Sequence, residues 1–212
     1  MDVLYHFRNK WPLFKGAGSS TLIITGMEQY FQSLKRPGPW YREFLAAQLR
    51  KGMLSPQFEQ DYLSVHVRLG DFARPATDTN KLVQNNVGTP LEWYAEIIRF
   101  VKAANLNLAI VLSSDGSDDE LAPLLRIPGV ERTTARNALD ELFIMSRSRG
   151  IVGSRSTFSS WGAFLGATPL LLIEGGNAYP PHADVWEDTS DRERKAWLTA
   201  VLTGSQSTKT RS

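Results

Sequence analysis

The chain contains no cysteine among its 212 residues, which excludes disulfides, thiolate zinc sites and cysteine nucleophiles and fits a reducing compartment. It has only three histidines, His6, His66 and His182, and their wide separation in sequence argues against a histidine metal site. Charge of one sign is scarce as well. With 24 basic and 22 acidic residues the net charge is +2, and the lysines and arginines are dispersed, so no nucleic-acid partner is expected. No apolar run approaches the ~18 residues of a membrane span. The opening Met1-Asp2-Val3-Leu4-Tyr5-His6-Phe7-Arg8 lacks the apolar core of a signal peptide. A cytoplasmic location is the expectation.

What is present is an ordinary globular composition, 42% hydrophobic and 22% charged, enough for a sizeable core. Strand-like runs fall at 22–25, 63–69, 108–113, 130–133, 151–154 and 170–174, and helical patterns at 40–51, 90–104, 120–126, 139–149 and 158–165. This alternation is the βαβ rhythm of a parallel sheet flanked by helices, an α/β fold. Thr89 followed by Pro90 reads as an N-cap with proline at the first helical position. A charged amphipathic helix is expected at 188–202, a loop at 177–181 and a disordered polar tail at 204–212.

The most informative stretch is Val65-His66-Val67-Arg68-Leu69-Gly70-Asp71. Side chains alternate along a strand, so Leu63, Val65, Val67 and Leu69 take one face while Ser64, His66 and Arg68 take the other. A guanidinium at the end of such a strand needs an anion, either a ligand phosphate or a protein carboxylate such as Asp71. A second stretch runs from Gly150 to Gly166: a short apolar strand, a hydroxyl-rich turn and an apolar helix. Ser154, Ser156 and Thr157 are natural N-cap residues there, and a helix start offers backbone N–H groups to an anion. In an open parallel sheet both stretches end at the carboxyl edge, where ligands bind.

Three segments, His66 to Asp71, Asp140-Glu141-Leu142-Phe143-Ile144-Met145-Ser146, and Ser156-Thr157-Phe158-Ser159-Ser160-Trp161-Gly162-Ala163, resemble in that order the three motifs of the α-1,2-fucosyltransferases of glycosyltransferase family 11. Gly26-Met27-Glu28-Gln29-Tyr30-Phe31-Gln32-Ser33 is similar to a stretch that precedes them in bacterial members, so the likeness runs from about Gly26 to about Glu174. The resemblance implies a Rossmann-like domain like the nucleotide-sugar-binding half of a GT-B glycosyltransferase. It implies Arg68 on the β-phosphate of GDP-fucose, His66 on the nucleotide, Asp140 on the guanine edge, and Ser156, Thr157 and Phe158 on the diphosphate. The implied reaction is transfer of fucose with inversion to a hydroxyl of a glycan acceptor, with GDP-fucose as donor substrate and no metal or other cofactor. Arg68 and the helix N–H groups would stabilise the charge that gathers on GDP as the sugar leaves.

Each residue also has a structural reading: His66 as a core histidine, Asp140 as a helix cap, Ser156 and Thr157 as caps alone, Trp161 and Phe164 as core. Asp71 is the candidate general base, although a Gly-Asp turn after a strand also serves to orient the neighbouring arginine. Two departures from the family stand out. Leu69 occupies the place of a second arginine, and no counterpart of the family's Gly-Leu-Gly-Asn-Gln segment is seen. The expected organisation is therefore a short acceptor-side remnant at 1–50, a GDP-sugar-binding domain at 51–188, and a helix with a polar tail at 189–212. A partner chain supplying the acceptor side and peripheral association with the inner membrane go with this reading. The alternative is a truncated, non-catalytic GDP-sugar-binding or interaction domain of the same fold. Two loops, 71–89 as a lid and Asp115 to Asp119 as an acidic turn and helix cap rather than a magnesium site, complete the expectations.

Overall fold

The computed structural model describes residues 3–4, 22–23, 34, 36–49, 52–54, 58, 60–70, 88–174 and 185–203. The chain divides into two units, Met1–Lys35 and Arg36–Ser212. In the first, β1 (Val3–Leu4) and β2 (Leu22–Ile23) pair in parallel, with Val3 opposite Leu22.

The second unit carries helix α1 (Gly38–Gln48) and then alternates: β3 (Tyr62–Val67), α2 (Leu91–Ala104), β4 (Ala109–Ser114), α3 (Asp118–Leu125), β5 (Val130–Arg132), α4 (Ala138–Arg147), β6 (Gly150–Gly153), α5 (Thr157–Gly166), β7 (Leu170–Ile173), β8 (Val185–Asp188) and α6 (Asp191–Thr203). The strands form one six-stranded parallel sheet in the order β5-β4-β3-β6-β7-β8. All six residues of β3 are buried, as a central strand covered on both faces requires.

Strand alternation sorts the core into two faces. Leu63, Val65, Val67, Ile110, Leu112, Val152, Leu171 and Trp186 pack with Ile97, Ile98 and Val101 of α2, Leu121 and Leu124 of α3, and Trp197 and Val201 of α6. On the other face, Ile151, Leu170 and Leu172 pack with Met145 of α4 and Ala163 of α5, while Tyr62 and Val111 meet Ile144 of α4. Helix α1 lies outside α5, where the Cβ that Gly38 lacks would sit 1.5 Å from the Phe164 carbonyl oxygen. Only a glycine permits that approach.

Helix starts follow local side-chain chemistry. Ser117 and Glu120 form a reciprocal capping box at α3, Asn137 Oδ1 accepts from Asp140 N at 3.0 Å at α4, and Ser156 Oγ accepts from Ser159 N at 3.4 Å at α5. Helix α2 differs from the sequence expectation. Pro90 itself holds the N-cap position with an extended ψ of 138° and no side-chain cap, so Leu91 rather than Pro90 begins the helix. Strand β8 was not expected, since it falls between the loop read at 177–181 and the helix read from 188; Asp188 ends that strand and α6 begins at Asp191. Four residues at a sheet edge carry too little periodicity to be recognised as a strand. Of the loop expected at 71–89, residues 71–87 lie outside the described residues, as do the loop expected at 177–181 and the tail at 204–212. Among the described residues no helix is long and apolar enough to cross a membrane.

The chain thus starts its sheet in the middle, runs outward through β4 and β5, returns, and runs outward the other way through β6, β7 and β8. This is the doubly wound, Rossmann-like α/β arrangement, and its switch point lies between β3 and β6, the place where sheets of this kind form a ligand crevice at the carboxyl ends of the strands.

Candidate functional site

Ser154 staples the two strands that flank the switch point. Its hydroxyl donates to the His66 carbonyl at 3.0 Å and accepts from the Arg68 backbone N–H at 2.7 Å, while the Ser154 N–H also donates to the His66 carbonyl at 3.0 Å. With the serine proton committed, the Tyr94 hydroxyl of α2 donates into the remaining lone pair at 2.7 Å. Burial pushes the Tyr94 phenol up to about 12 against the hydrogen bond with Ser154, so it stays protonated. The expectation of Ser154 as a helix cap is corrected here, because Ser156 occupies the N-cap position.

His66 is 4% exposed on the α4–α5 face, with Nδ1 at 2.7 Å from Ser159 Oγ and its ring centroid 5.2 Å from that of Phe158. The Ser159 hydroxyl also has the Ser154 carbonyl as an acceptor at 3.3 Å, so its oxygen joins the ring to the β6 end. Burial pushes the ring down to about 4, with Asp115 partly opposing and Arg68 adding to the shift, so His66 is a neutral ring at physiological pH. The same row of the sheet needs Gly153, where a Cβ would lie 2.8 Å from the Ser159 Cβ and 2.9 Å from Leu170 Cδ1.

Arg68 follows β3 at the carboxyl edge of the sheet, its Nη1 at 2.6 Å from Asp115 Oδ2, with 36% of its side chain exposed. Leu69 turns to the opposite face and enters the apolar core, as alternation requires. The carboxylate that meets Arg68 is therefore Asp115, at the end of β4. Asp71 lies outside the described residues. The sheet register explains the meeting: Val67 pairs with Ser114, which sets the next two residues, Arg68 and Asp115, side by side. Burial raises the Asp115 carboxyl, but the Leu69 and Gly70 N–H groups and the Arg68 charge outweigh it and hold the group below its usual range.

The diphosphate residues expected from sequence gather at the start of α5. Ser156 is its N-cap, Thr157 and Phe158 are its first two residues, and all three are half-buried beside His66. A ten-residue helix presents its first N–H groups and the positive end of its dipole there. Asp140 sits one turn into α4, buried, with Oδ2 accepting from the Arg136 backbone N–H at 2.9 Å. Its observed work is to hold the loop that enters the helix. Glu141 beside it is half-buried, and burial raises its carboxyl, Arg132 opposing while Asp115 and Asp140 add to the rise. Glu141 is thus near enough to feel both Asp115 and Asp140 at the carboxyl edge. In the acidic turn, Asp115 is engaged by Arg68, and Asp118 by Arg132 Nη1 at 2.6 Å.

Sequence reasoning missed Tyr94, Ser159, Arg132 and Glu141 as parts of this edge. Tyr94, Ser159 and Glu141 stand on helices and Arg132 on a neighbouring strand, so helix docking and strand register bring them here, and the periodicity of a single segment carries neither.

No protein-family model matches the chain, and no curated protein matches it. Among solved structures it is similar to E. coli heptosyltransferase WaaC with ADP at a TM-score of 0.49 and 13% identity, over 82% of this chain and 54% of that one. It is similar to E. coli ADP-heptose LPS heptosyltransferase II at 0.48 and 14%, over 83% and 57%. It is similar to POFUT1 in complex with GDP at 0.36 and 18%, over 64% and 45%. The chain spans about half the length of the solved structures it resembles. Likeness at these identities concerns the fold and reaches neither substrate nor activity.

Proposed function

We propose that this chain binds GDP-fucose at its switch-point crevice and forms the donor-binding part of an inverting fucosyltransferase that acts on a hydroxyl of a glycan acceptor. The observation that carries the reading is the convergence of Arg68 and the α5 start on the two strands that Ser154 ties together. A guanidinium and a helix N-terminus on either side of one crevice suit a diphosphate, whose oxygens take charge-assisted hydrogen bonds from both. As the sugar departs, negative charge builds on the β-phosphate. A cation and N–H dipoles already in place stabilise that charge more than they stabilise the bound donor, which is what accelerates transfer. His66, neutral and buried, serves in this reading as a support for Phe158 and Ser159 rather than as a cation. Asp140 toward guanine, Asp71 as base, a metal-independent reaction and cytoplasmic action at a membrane surface belong to the same proposal.

Calorimetric titration with GDP, GDP-fucose and UDP tests it. Selective binding of the guanine nucleotides, weakened about tenfold or more in Arg68→Ala, is the expected result. A folded chain that ignores GDP, or binds UDP equally well, overturns the donor assignment.

A further inference from the structure

We propose that Asp115 is a positioning residue that aims the Arg68 guanidinium into the crevice, with Arg132 fixing the turn that carries it; the inference rests on the donor-site reading above. Both Asp115 oxygens are engaged at the end of β3. Oδ2 meets Arg68 Nη1 at 2.6 Å, and Oδ1 accepts the Leu69 backbone N–H at 2.7 Å. Gly70 makes the approach possible, since a Cβ there would lie 2.6 Å from Asp115 Oδ2. The carboxylate therefore grips the backbone beside Arg68 and the arginine head at once, which fixes both ends of a long, flexible side chain.

The turn that presents Asp115 is itself clamped from the next strand. Arg132 of β5 donates through Nη2 to the carbonyls of Ser114 at 3.0 Å and Gly116 at 2.8 Å, and through Nη1 to Asp118 Oδ1 at 2.6 Å. The Ser117–Glu120 capping box closes the far side of the turn. Three adjacent strand ends, those of β5, β4 and β3, are thus linked in series by Arg132, Asp115 and Arg68. Such pre-organisation removes ordering that a ligand would otherwise have to impose on the arginine.

The arrangement makes an experiment decisive, because two effects of Asp115 have opposite signs. A carboxylate beside an anion site repels the anion, so removing its charge should tighten GDP binding if Coulomb repulsion dominates. If positioning dominates, binding should weaken. Asp115→Asn keeps an oxygen for the Leu69 N–H and deletes the charge. The expected result is GDP binding weakened about tenfold by calorimetry. In an Arg68→Ala background, the same change should have less than about a twofold effect, since a residue acting through Arg68 has nothing left to aim. Arg132→Gln, which touches neither Arg68 nor the crevice, should weaken GDP binding by a smaller factor and provides the measurement should Asp115→Asn fail to fold. Binding unchanged or tightened in folded Asp115→Asn, a full effect surviving without Arg68, or wild-type affinity in Arg132→Gln overturns the inference and leaves the donor site standing. A wild-type chain that fails to bind GDP overturns the donor site, and the inference with it.

Discussion

The two faces of the central sheet are built from different chemistry. Under α2, α3 and α6 the strands present Leu63, Val65, Val67, Ile110, Leu112, Val152 and Leu171, a continuous apolar layer filled by Trp197, Tyr94 and the α2 isoleucines. Under α4 and α5 the same strands present Ser64, His66, Ser113 and Gly153, and the helices answer with Asp140, Ser146, Ser159 and Ser160, all of these side chains buried. Each buried hydroxyl or imidazole forfeits hydration and needs a partner, so the second face is the weaker investment in stability. The polar groups on that face cluster toward the carboxyl ends of the strands, beside the crevice. Both faces carry apolar packing, with Ile151, Leu170 and Leu172 against Met145 and Ala163 on the second, but the polar groups beside the site are confined to that second face.

Removing the largest apolar group on the first face should have the largest effect. Trp197 is fully buried among α6, β7 and the Gly150 backbone, where a Cβ on Gly150 would lie 3.4 Å from its ring. Trp197→Ala should lower unfolding free energy in urea by roughly 3–5 kcal/mol. A cost near 1 kcal/mol would show that the two faces share the load equally.

At the carboxyl edge, where the two faces meet, Ser154→Ala strips the acceptor from the Arg68 N–H and the Tyr94 hydroxyl and leaves the His66 carbonyl only the backbone N–H of residue 154. The expected loss is about 1–3 kcal/mol, together with weaker GDP binding as the β3 and β6 ends part. Loss of stability without loss of binding would separate the staple from the crevice.

A third test distinguishes the faces by pH alone. The His66 ring titrates at about 4 in the folded chain against an ordinary 6.5, so the unfolded chain binds the extra proton between those values. Stability is therefore full above pH 6.5 and declines as pH falls toward 4, by on the order of 3 kcal/mol in the limit. His66→Gln should flatten that part of the urea-midpoint profile relative to wild type. A profile of the same slope in the variant would assign the decline to the carboxylates instead.

Much of the fold was readable in advance. Five of the six strands of the parallel sheet show in runs such as Leu108 to Ser113, and helices such as α2 show in apolar residues that recur at helical spacing. The N-cap of α5 and the inward turn of Leu69 were equally local. Strand β8 was not readable, because Val185 to Asp188 is an edge strand whose identity comes from pairing with β7. Nor was the bidentate grip of Arg194 on Asp188, at 2.9 and 2.6 Å, with Trp93 Nε1 adding a third bond at 2.7 Å. Those partners lie on three different elements.

By itself, then, the sequence determined the βαβ order, the Ser156 cap of α5 and the placement of His66 and Arg68 at the end of β3. Periodicity and capping are short-range, acting over a few residues of one chain segment. Tertiary structure alone decided that Arg68 meets Asp115, that Ser154 is a staple rather than a cap, and that Arg132 stands behind the turn. Each of those contacts depends on which strand lies beside which and in what register, a long-range choice made by burying the two faces of the sheet together.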